Sequence, residues 1–191
     1  HRSTNRILGD TESLNQFKEA LIQAKRPVFW VGNGAKISGA GDEIVQLAEK
    51  LSIPIITTFN GISAVDMSHK QVFGPLSRNG SMLSAEILAE ADTLFAIGNS
   101  LNGPSTGRWT MKLPDKIYQL DIDPTMLGRH YPNTVGVWGD VKVCVKFLLD
   151  KLGDVSPSDS QKEWLENCQK KYAKWHEKYV KPFHNNTASP I

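Results

Sequence analysis

The 191-residue chain is 40% apolar and carries 22 basic against 20 acidic side chains. This length and composition allow one buried core with an appendage. The balanced charge argues against a polyanionic partner such as nucleic acid or an acidic membrane surface. No run of eighteen apolar residues occurs, which argues against a membrane span. The start HRSTNRILGD has neither an initiator Met nor a signal-peptide core, which predicts a piece excised from a longer chain.

Helical periodicity and apolar runs alternate along the chain. In order, we predict a helix over 11–25, a strand over 27–32 followed by a polar turn, a helix over 42–51, a strand over 53–58, a helix over 81–91, strands over 92–98, 116–123 and 134–139, and a helix over 140–152. Asp42 and Asp140 are the expected N-caps of their helices, and Asp123 is expected to cap a turn at Pro124. Apolar strands alternating with helices require a parallel sheet covered on both faces. The sequence therefore predicts a doubly wound α/β domain with a mostly parallel, five- to six-stranded sheet.

The character of the sequence changes after residue 152. The Gly/Pro/Ser-rich stretch 153–160 predicts a hinge, and an amphipathic linker helix follows. The side chains that share its apolar stripe are Trp164, Cys168, Trp175 and Tyr179. We predict a domain over 1–152 and, over 153–191, this hinge and helix with a truncated linker. The two cysteines of the chain sit singly in predicted helices, which fits a reducing, cytoplasmic location and offers no metal-ligand spacing.

The strand ends carry the candidate binding residues, because ligands of open α/β sheets bind beyond the carboxyl ends of the strands. Gly32 and Gly34 follow the first strand and allow a close backbone approach to a phosphate, but they also suit a plain strand-to-helix turn. The full GxGxxG pattern is missing and the second strand ends in TTFNG, without an acidic residue, so an ordinary NAD dehydrogenase is not predicted.

Acidic residues follow two later strands. Asp121 ends a buried strand, where a carboxylate accepts hydrogen bonds from ribose hydroxyls. Asp140 is expected to cap its helix, to accept from an adenine amino group, or to do both. The loop GNSLNGPSTG, residues 98–107, either lines a pyrophosphate or flavin edge or is a plain surface loop. No GxSxG, HExxH, CxxC or Walker A motif occurs and the histidines are scattered, so we expect a binding site without catalytic residues or a metal site.

Five segments resemble, in order and spacing, the central domain of thiamine-diphosphate enzymes of the acetolactate synthase and 2-oxo acid decarboxylase type. They are KRPVFWVGNGAKISGAGDEIVQLAEKLSIPIITTFNG, FGPLSRNGS, ADTLFAIGNSL, IYQLDIDPTMLGRHYP and VWGDVKVCVKFLLDKL. The resemblance covers about residues 12–152 and implies the Rossmann-like, DHS-like NAD/FAD-binding fold. It also implies a parent lyase or transferase, a homo-oligomeric dimer or tetramer. There, thiamine diphosphate and Mg²⁺ are held by pyrimidine- and diphosphate-binding domains that this chain lacks.

Carried over position by position, the resemblance implies a FAD or ADP site in this domain. The implied contacts are Gly32, Gly34, Phe59, Asn60, Ser77, Arg78, Asn79, Gly98, Asn99, Ser100, Asp121, Ile122, Asp140 and Val141. The loop at 98–107 departs from the pattern, since flavin-binding members typically read GARFDDRVTG and this chain has Ser100 and Pro104 in place of the two arginines. Without these guanidinium groups to bind a pyrophosphate or flavin, we expect the domain to bind an ADP-like nucleotide, to bind FAD weakly, or to bind neither.

Two other functions stay open at the sequence level. One is a nucleotide-free scaffold or oligomerisation domain, expected if side chains fill the cleft between Gly32 and Asp121. The other is an NAD-dependent, sirtuin-like deacylase, because GNGAKISGAG is similar to the GAGxSxxSG loop of sirtuins. That activity requires a catalytic His in an HG context and four zinc-binding cysteines, and the sequence has neither.

Overall fold

The computed structural model describes residues 6–76 and 81–179 of the chain. Its strands form one sheet and are β1 Pro27–Val31, β2 Ile55–Thr58, β3 Val72–Leu76, β4 Thr93–Ile97, β5 Lys116–Asp121 and β6 Val135–Trp138. They lie in the order β3-β2-β1-β4-β5-β6, and each neighbouring pair is parallel. This confirms the predicted doubly wound α/β domain. The strand order reverses between β1 and β4, so the carboxyl ends of these strands flank the switch point.

Helices cover both faces of the sheet. They are α1 Thr11–Gln23, α2 Asn33–Ser38, α3 Gly41–Leu51, α4 Met82–Glu90, α5 Val141–Leu152 and α6 Asp159–Tyr179, with 3₁₀ turns at Phe59–Ala64 and Pro124–Met126. Successive side chains of a strand point to opposite faces, so β1 contributes Phe29 to one core cluster and Trp30 to another. The first cluster packs against α1, α3 and α5, and the second against α4 and α6.

Three local predictions are wrong, each for a physical reason. The sequence does not predict β3, because Gly74 and Pro75 inside it are typical of a turn. As an edge strand, β3 tolerates a proline that donates no ladder hydrogen bond. The expected polar turn after β1 is the short helix α2. The N-cap of α3 is Ala40, and Asp42 lies in the first turn, where its charge suits the helix dipole.

Helix α6 is anchored on the second cluster. Its Trp164 and Cys168 are buried, and Trp164 Nε1 donates to the carbonyl of Pro27 at 2.9 Å. Trp175 is partly buried and Tyr179 is exposed, so burial along the predicted stripe decreases toward the end of the helix. The predicted linker beyond residue 179 lies outside the described residues. Within the described part of the chain, no helix has the length and apolar character to cross a membrane.

Candidate nucleotide site at the carboxyl edge of the sheet

Three glycines bring the ends of β1 and β4 into backbone contact. A Cβ at Gly32 would lie 2.3 Å from the carbonyl oxygen of Gly98, and one at Gly34 would lie 2.9 Å from Gly98 Cα. Gly98 itself has φ +56°, and a Cβ there would lie 2.2 Å from the nitrogen of Ala35. Only glycine fits such a close approach in this left-handed conformation. The glycines that suggest a phosphate loop in the sequence are thus required by packing at the switch point.

The amides of this glycine junction are already bonded within the protein. Gly32 N–H donates to the carbonyl of Ile97 at 2.9 Å, and Gly34 N–H donates to that of Gly98 at 2.9 Å. A phosphate held by these two amides would have to displace both bonds. The phosphate contacts of Gly32 and Gly34 stay a prediction, and the geometry fits their alternative interpretation as a tight turn.

The loop after β4 is stabilised by its own side chains. Buried Asn99 accepts from Leu101 N–H through Oδ1 at 3.1 Å and donates through Nδ2 to the carbonyl of Trp30 at 3.4 Å. The Asn99 carbonyl accepts from Gln119 Nε2 at 3.0 Å. Asn99 therefore joins β1 to β5, while its neighbour Ser100 is half-buried at the edge of the sheet.

Asp121 is a buried carboxylate at the end of β5. It is 8% exposed, and its Oδ1 accepts from Asp123 N–H at 3.0 Å. Burial raises the pKa of Asp121; the Asp123 amide opposes this rise and the Asp123 charge adds to it. No Lys, Arg or His among residues 6–76 and 81–179 forms an ion pair with Asp121. A buried carboxylate with a raised pKa and no cation beside it is a candidate acceptor for ligand hydroxyls.

Asp140 caps α5 as predicted and has more partners than the sequence indicates. Oδ1 accepts from Val143 N–H at 3.2 Å and from Arg6 Nη1 at 2.8 Å, and Oδ2 accepts from Ser38 Oγ at 3.0 Å. Burial raises the pKa of Asp140, but the hydrogen bonds from Arg6, Val143 and Ser38 outweigh it and lower the pKa. No motif marks Arg6 or Ser38, which lie 134 and 102 residues before Asp140.

An exposed indole lies beside Asp121. Trp138 is paired with Asp121 across β5 and β6, is 49% exposed, and donates from Nε1 to the carbonyl of Ile122 at 3.0 Å. The Ile122 side chain is also exposed. A fixed aromatic surface next to a buried carboxylate can stack a flat ring while the carboxylate holds a polar group. No motif in the sequence marks Trp138, although its position at a strand end is a signal that could have found it.

The other predicted contacts are spread around the edge. Asp121, Ile122 and Asp140 stand at neighbouring strand ends, whereas the exposed Phe59 and Asn60 follow β2 on the far side of β1. Val141 is buried and packs in the first cluster. Three further contacts, Ser77, Arg78 and Asn79, lie outside the described residues. In the described ranges, no group of three or more His, Cys, Asp or Glu side chains could hold a metal ion.

The six-stranded parallel sheet, covered by helices on both faces and with acidic residues at its carboxyl edge, defines a Rossmann-like α/β domain. The chain matches the family model described as thiamine pyrophosphate enzyme, central domain, over residues 14–148. The chain belongs to this family, which confirms the resemblance drawn from its motifs. Membership gives no support to the sirtuin-like alternative.

Individual relatives extend this similarity beyond the matched range. A sulfoacetaldehyde acetyltransferase of Roseovarius nubinhibens is 33% identical over 171 residues, covering 87% of this chain and 28% of the relative. The acetolactate synthase large subunit of Haemophilus influenzae is 28% identical over 172 residues, covering 88% of this chain and 30% of the relative. A probable acetolactate synthase large subunit of Methanococcus aeolicus is 28% identical over 169 residues. The chain spans less than a third of the length of these curated relatives.

Proposed function

We propose that this chain is the central domain of a thiamine-diphosphate-dependent lyase or transferase that acts on 2-oxo acids, similar to acetolactate synthase. The family match and the names of the relatives support the proposal. When bound, thiamine diphosphate supplies a carbanion that attacks a carbonyl carbon. In the cytoplasmic, homo-oligomeric parent, the pyrimidine- and diphosphate-binding domains hold this cofactor and Mg²⁺. The central domain positions them and contributes no catalytic residue.

Within the parent, the domain binds an adenine nucleotide such as ADP at the ends of β5 and β6. The observation that carries this proposal is the burial of Asp121, without a cationic partner in the described part of the chain, beside the exposed Trp138. Ribose hydroxyls donate to the Asp121 carboxylate, the purine lies against the indole, and the amino group of the base faces Asp140. FAD fits less well, because Ser100 and Pro104 provide no guanidinium for its diphosphate or flavin.

A nucleotide-free scaffold is the second candidate function. The glycine junction favours it, because the amides of Gly32 and Gly34 are bonded to backbone carbonyls and offer no ready phosphate cradle. The two functions differ in one requirement: only the nucleotide site needs a carboxylate at position 121.

Calorimetric titration of the purified chain with ADP, FAD and NAD, each alone, tests the nucleotide site. We expect ADP to bind and Asp121→Asn to weaken binding by about 10- to 100-fold, as for the loss of charge-assisted hydrogen bonds. Asp115→Asn is the matched control, because Asp115 is exposed just before β5, at the opposite edge of the sheet. Equal affinity for wild type and Asp121→Asn would favour the scaffold.

The full-length parent provides the second arm of the same experiment. It is titrated alongside the chain and assayed for decarboxylation of pyruvate with thiamine diphosphate and Mg²⁺. We expect turnover by the parent and none by the 191-residue chain. ADP binding by the parent alone would mean that another domain completes the site, and absence of binding by both would leave the scaffold as the function.

A further inference from the structure

The segment 6–9 crosses the carboxyl end of β6, and we refer to it as the latch. The carbonyl of Ile7 accepts from Asp140 N–H at 2.8 Å. A Cβ at Gly9 would lie 2.7 Å from Val137 Cγ1, so this end of the latch is in close contact with β6. The backbone hydrogen bond at Ile7 and the packing of Gly9 on β6 therefore hold the latch against the start of α5.

Arg6 closes the latch over Asp140. Its Nη1 donates to the carbonyl of Ser38 at 2.9 Å, to Ser38 Oγ at 3.0 Å and to Asp140 Oδ1 at 2.8 Å. The Arg6 side chain is 42% exposed and that of Asp140 is 15% exposed. The guanidinium is thus the more exposed member of the pair, and a ligand group that bonds Asp140 Oδ1 competes with Arg6 for this oxygen.

Of the three donors to the Asp140 carboxylate that the described residues provide, Arg6 is the one that can leave without unfolding a helix. Val143 donates from the backbone of α5, which the cap stabilises. Ser38 is buried, and its Oγ also accepts from Lys142 N–H at 2.9 Å, which ties α2 to α5. Arg6 precedes every helix and strand of the described residues and donates through a partly exposed side chain.

Asp140 stands next to the acid that carries the proposed nucleotide site. Gly139 N–H donates to the carbonyl of Asp121 at 3.0 Å, so the two acids follow directly neighbouring strand ends. A nucleotide whose ribose lies on Asp121 brings its base toward Asp140. In the closed latch, Oδ1 of that carboxylate is bonded to Arg6.

We propose that Arg6 gates the adenine end of the nucleotide site, a proposal that rests on the nucleotide-binding function above. With the latch closed, Arg6 holds Asp140; with the latch open, Asp140 accepts from the exocyclic amino group of adenine. A 6-oxo purine has an acceptor oxygen in place of this amino group and donates only from N1–H, so a carboxylate placed for the amino group favours adenine over hypoxanthine. Opening moves only the Arg6 side chain: it breaks the ion pair with Asp140 and the two hydrogen bonds to Ser38, keeps the backbone bond from Asp140 to Ile7, and is a change that a bound nucleotide can offset.

Titration with ADP and with inosine diphosphate tests the gate on three proteins: wild type, Arg6→Gln and Arg26→Gln. Arg26 is the matched control, because its Nε donates to the carbonyl of Glu90 at 2.8 Å at the opposite edge of the sheet. We expect Arg6→Gln to bind ADP about three- to tenfold more tightly than wild type does. Its affinity for inosine diphosphate stays unchanged, and Arg26→Gln behaves as wild type with both nucleotides.

The possible results distinguish a failure of the Arg6 gate from a failure of the nucleotide site. If wild type binds ADP and Asp121→Asn binds it more weakly, as expected, an unchanged ADP affinity of Arg6→Gln overturns the gate and leaves the site standing. An equal gain for both nucleotides overturns it as well. If neither nucleotide binds any variant, site and gate fall together. A circular-dichroism melt checks folding, and if Arg6→Gln is unfolded, Arg6→Lys takes its place, with an expected ADP affinity between those predicted for wild type and Arg6→Gln.

Discussion

Asp121 and Asp140 are the same residue type at the ends of adjacent strands, yet their surroundings shift the two pKa values in opposite directions. Burial raises the pKa of Asp121, whose Oδ1 accepts from the Asp123 amide and which has no ion pair with a cation among the described residues. Asp140 is also partly buried, but Arg6, Val143 and Ser38 donate to it and lower its pKa. One carboxylate is therefore bonded within the protein, and the other is suited to accept from a ligand.

The two aspartates are expected to contribute oppositely to stability as pH changes. A lowered folded-state pKa contributes stability above the unfolded pKa, and that stability is lost as pH falls through the folded value. Asp140→Asn should therefore lower the free energy of unfolding by about 1–2 kcal/mol at pH 7, a deficit that shrinks below about pH 4. A raised pKa works the other way, so Asp121→Asn should gain on wild type as pH rises through the folded pKa of Asp121. Urea denaturation from pH 3 to pH 7 measures both, and parallel curves would contradict the assignment.

At the residue scale, the sequence predicts hydrogen bonds between residues that are close together in the chain. Asp123 and Asp140 cap their helical turns as expected, because an N-cap and the amide it accepts from lie two or three residues apart. Asp42 is not the N-cap because α3 begins before it, at Gly41. Gly41 packs closely there, since a Cβ would lie 2.2 Å from the carbonyl oxygen of Ala64. The hydrogen bond from Arg6 to Asp140 depends on the tertiary fold, and no local sequence pattern predicts it.

At the scale of elements, two glycines separate two contributions to stability: the close contact between α2 and the end of β4, and the cost of a left-handed backbone conformation. Gly98 and Gly39 both have left-handed φ, +56° and +65°, but only a Cβ at Gly98 meets backbone, 2.2 Å from Ala35 N. We expect Gly98→Ala to lower the free energy of unfolding by about 3–5 kcal/mol and Gly39→Ala by about 1–2 kcal/mol. Urea denaturation of the two variants measures the difference. Equal losses would show that α2 shifts to admit the methyl group.

Turn residues, more than burial, decide which strands the sequence predicts, because the partly exposed strand β6 is predicted and the more buried β3 is not. β1 and β4 are buried at every position and have the continuous apolar runs of central parallel strands, so the sequence predicts them. β3 is an edge strand and has Gly74 at φ +100° followed by Pro75, which local patterns assign to a turn. Helix α2 has six residues and glycines at both ends, too short for an amphipathic period to emerge.

At the scale of the whole molecule, α6 shares the second cluster with the sheet. Burial raises the pKa of Cys168 to about 12, as expected for a thiol packed in a core. Lys171 pairs with Glu86 and Glu90 of α4, but both carboxylates are about half exposed, so these ion pairs contribute little. Most of the attachment of α6 therefore comes from the buried Trp164 and Cys168, and the predicted division at residue 152 separates parts that share one core.

Shortening the chain tests whether α6 belongs to the domain. A chain ending at residue 158 uncovers the second cluster, and we expect its free energy of unfolding to fall by at least about 3 kcal/mol, the scale of losing one buried tryptophan. It should also bind a hydrophobic dye that the full chain does not bind. The matched control ends at residue 172, keeps Trp164 and Cys168, and should retain most of the stability. Equal urea midpoints for the chain ending at 158 and the full chain would instead make α6 an appendage of a domain that ends near residue 152.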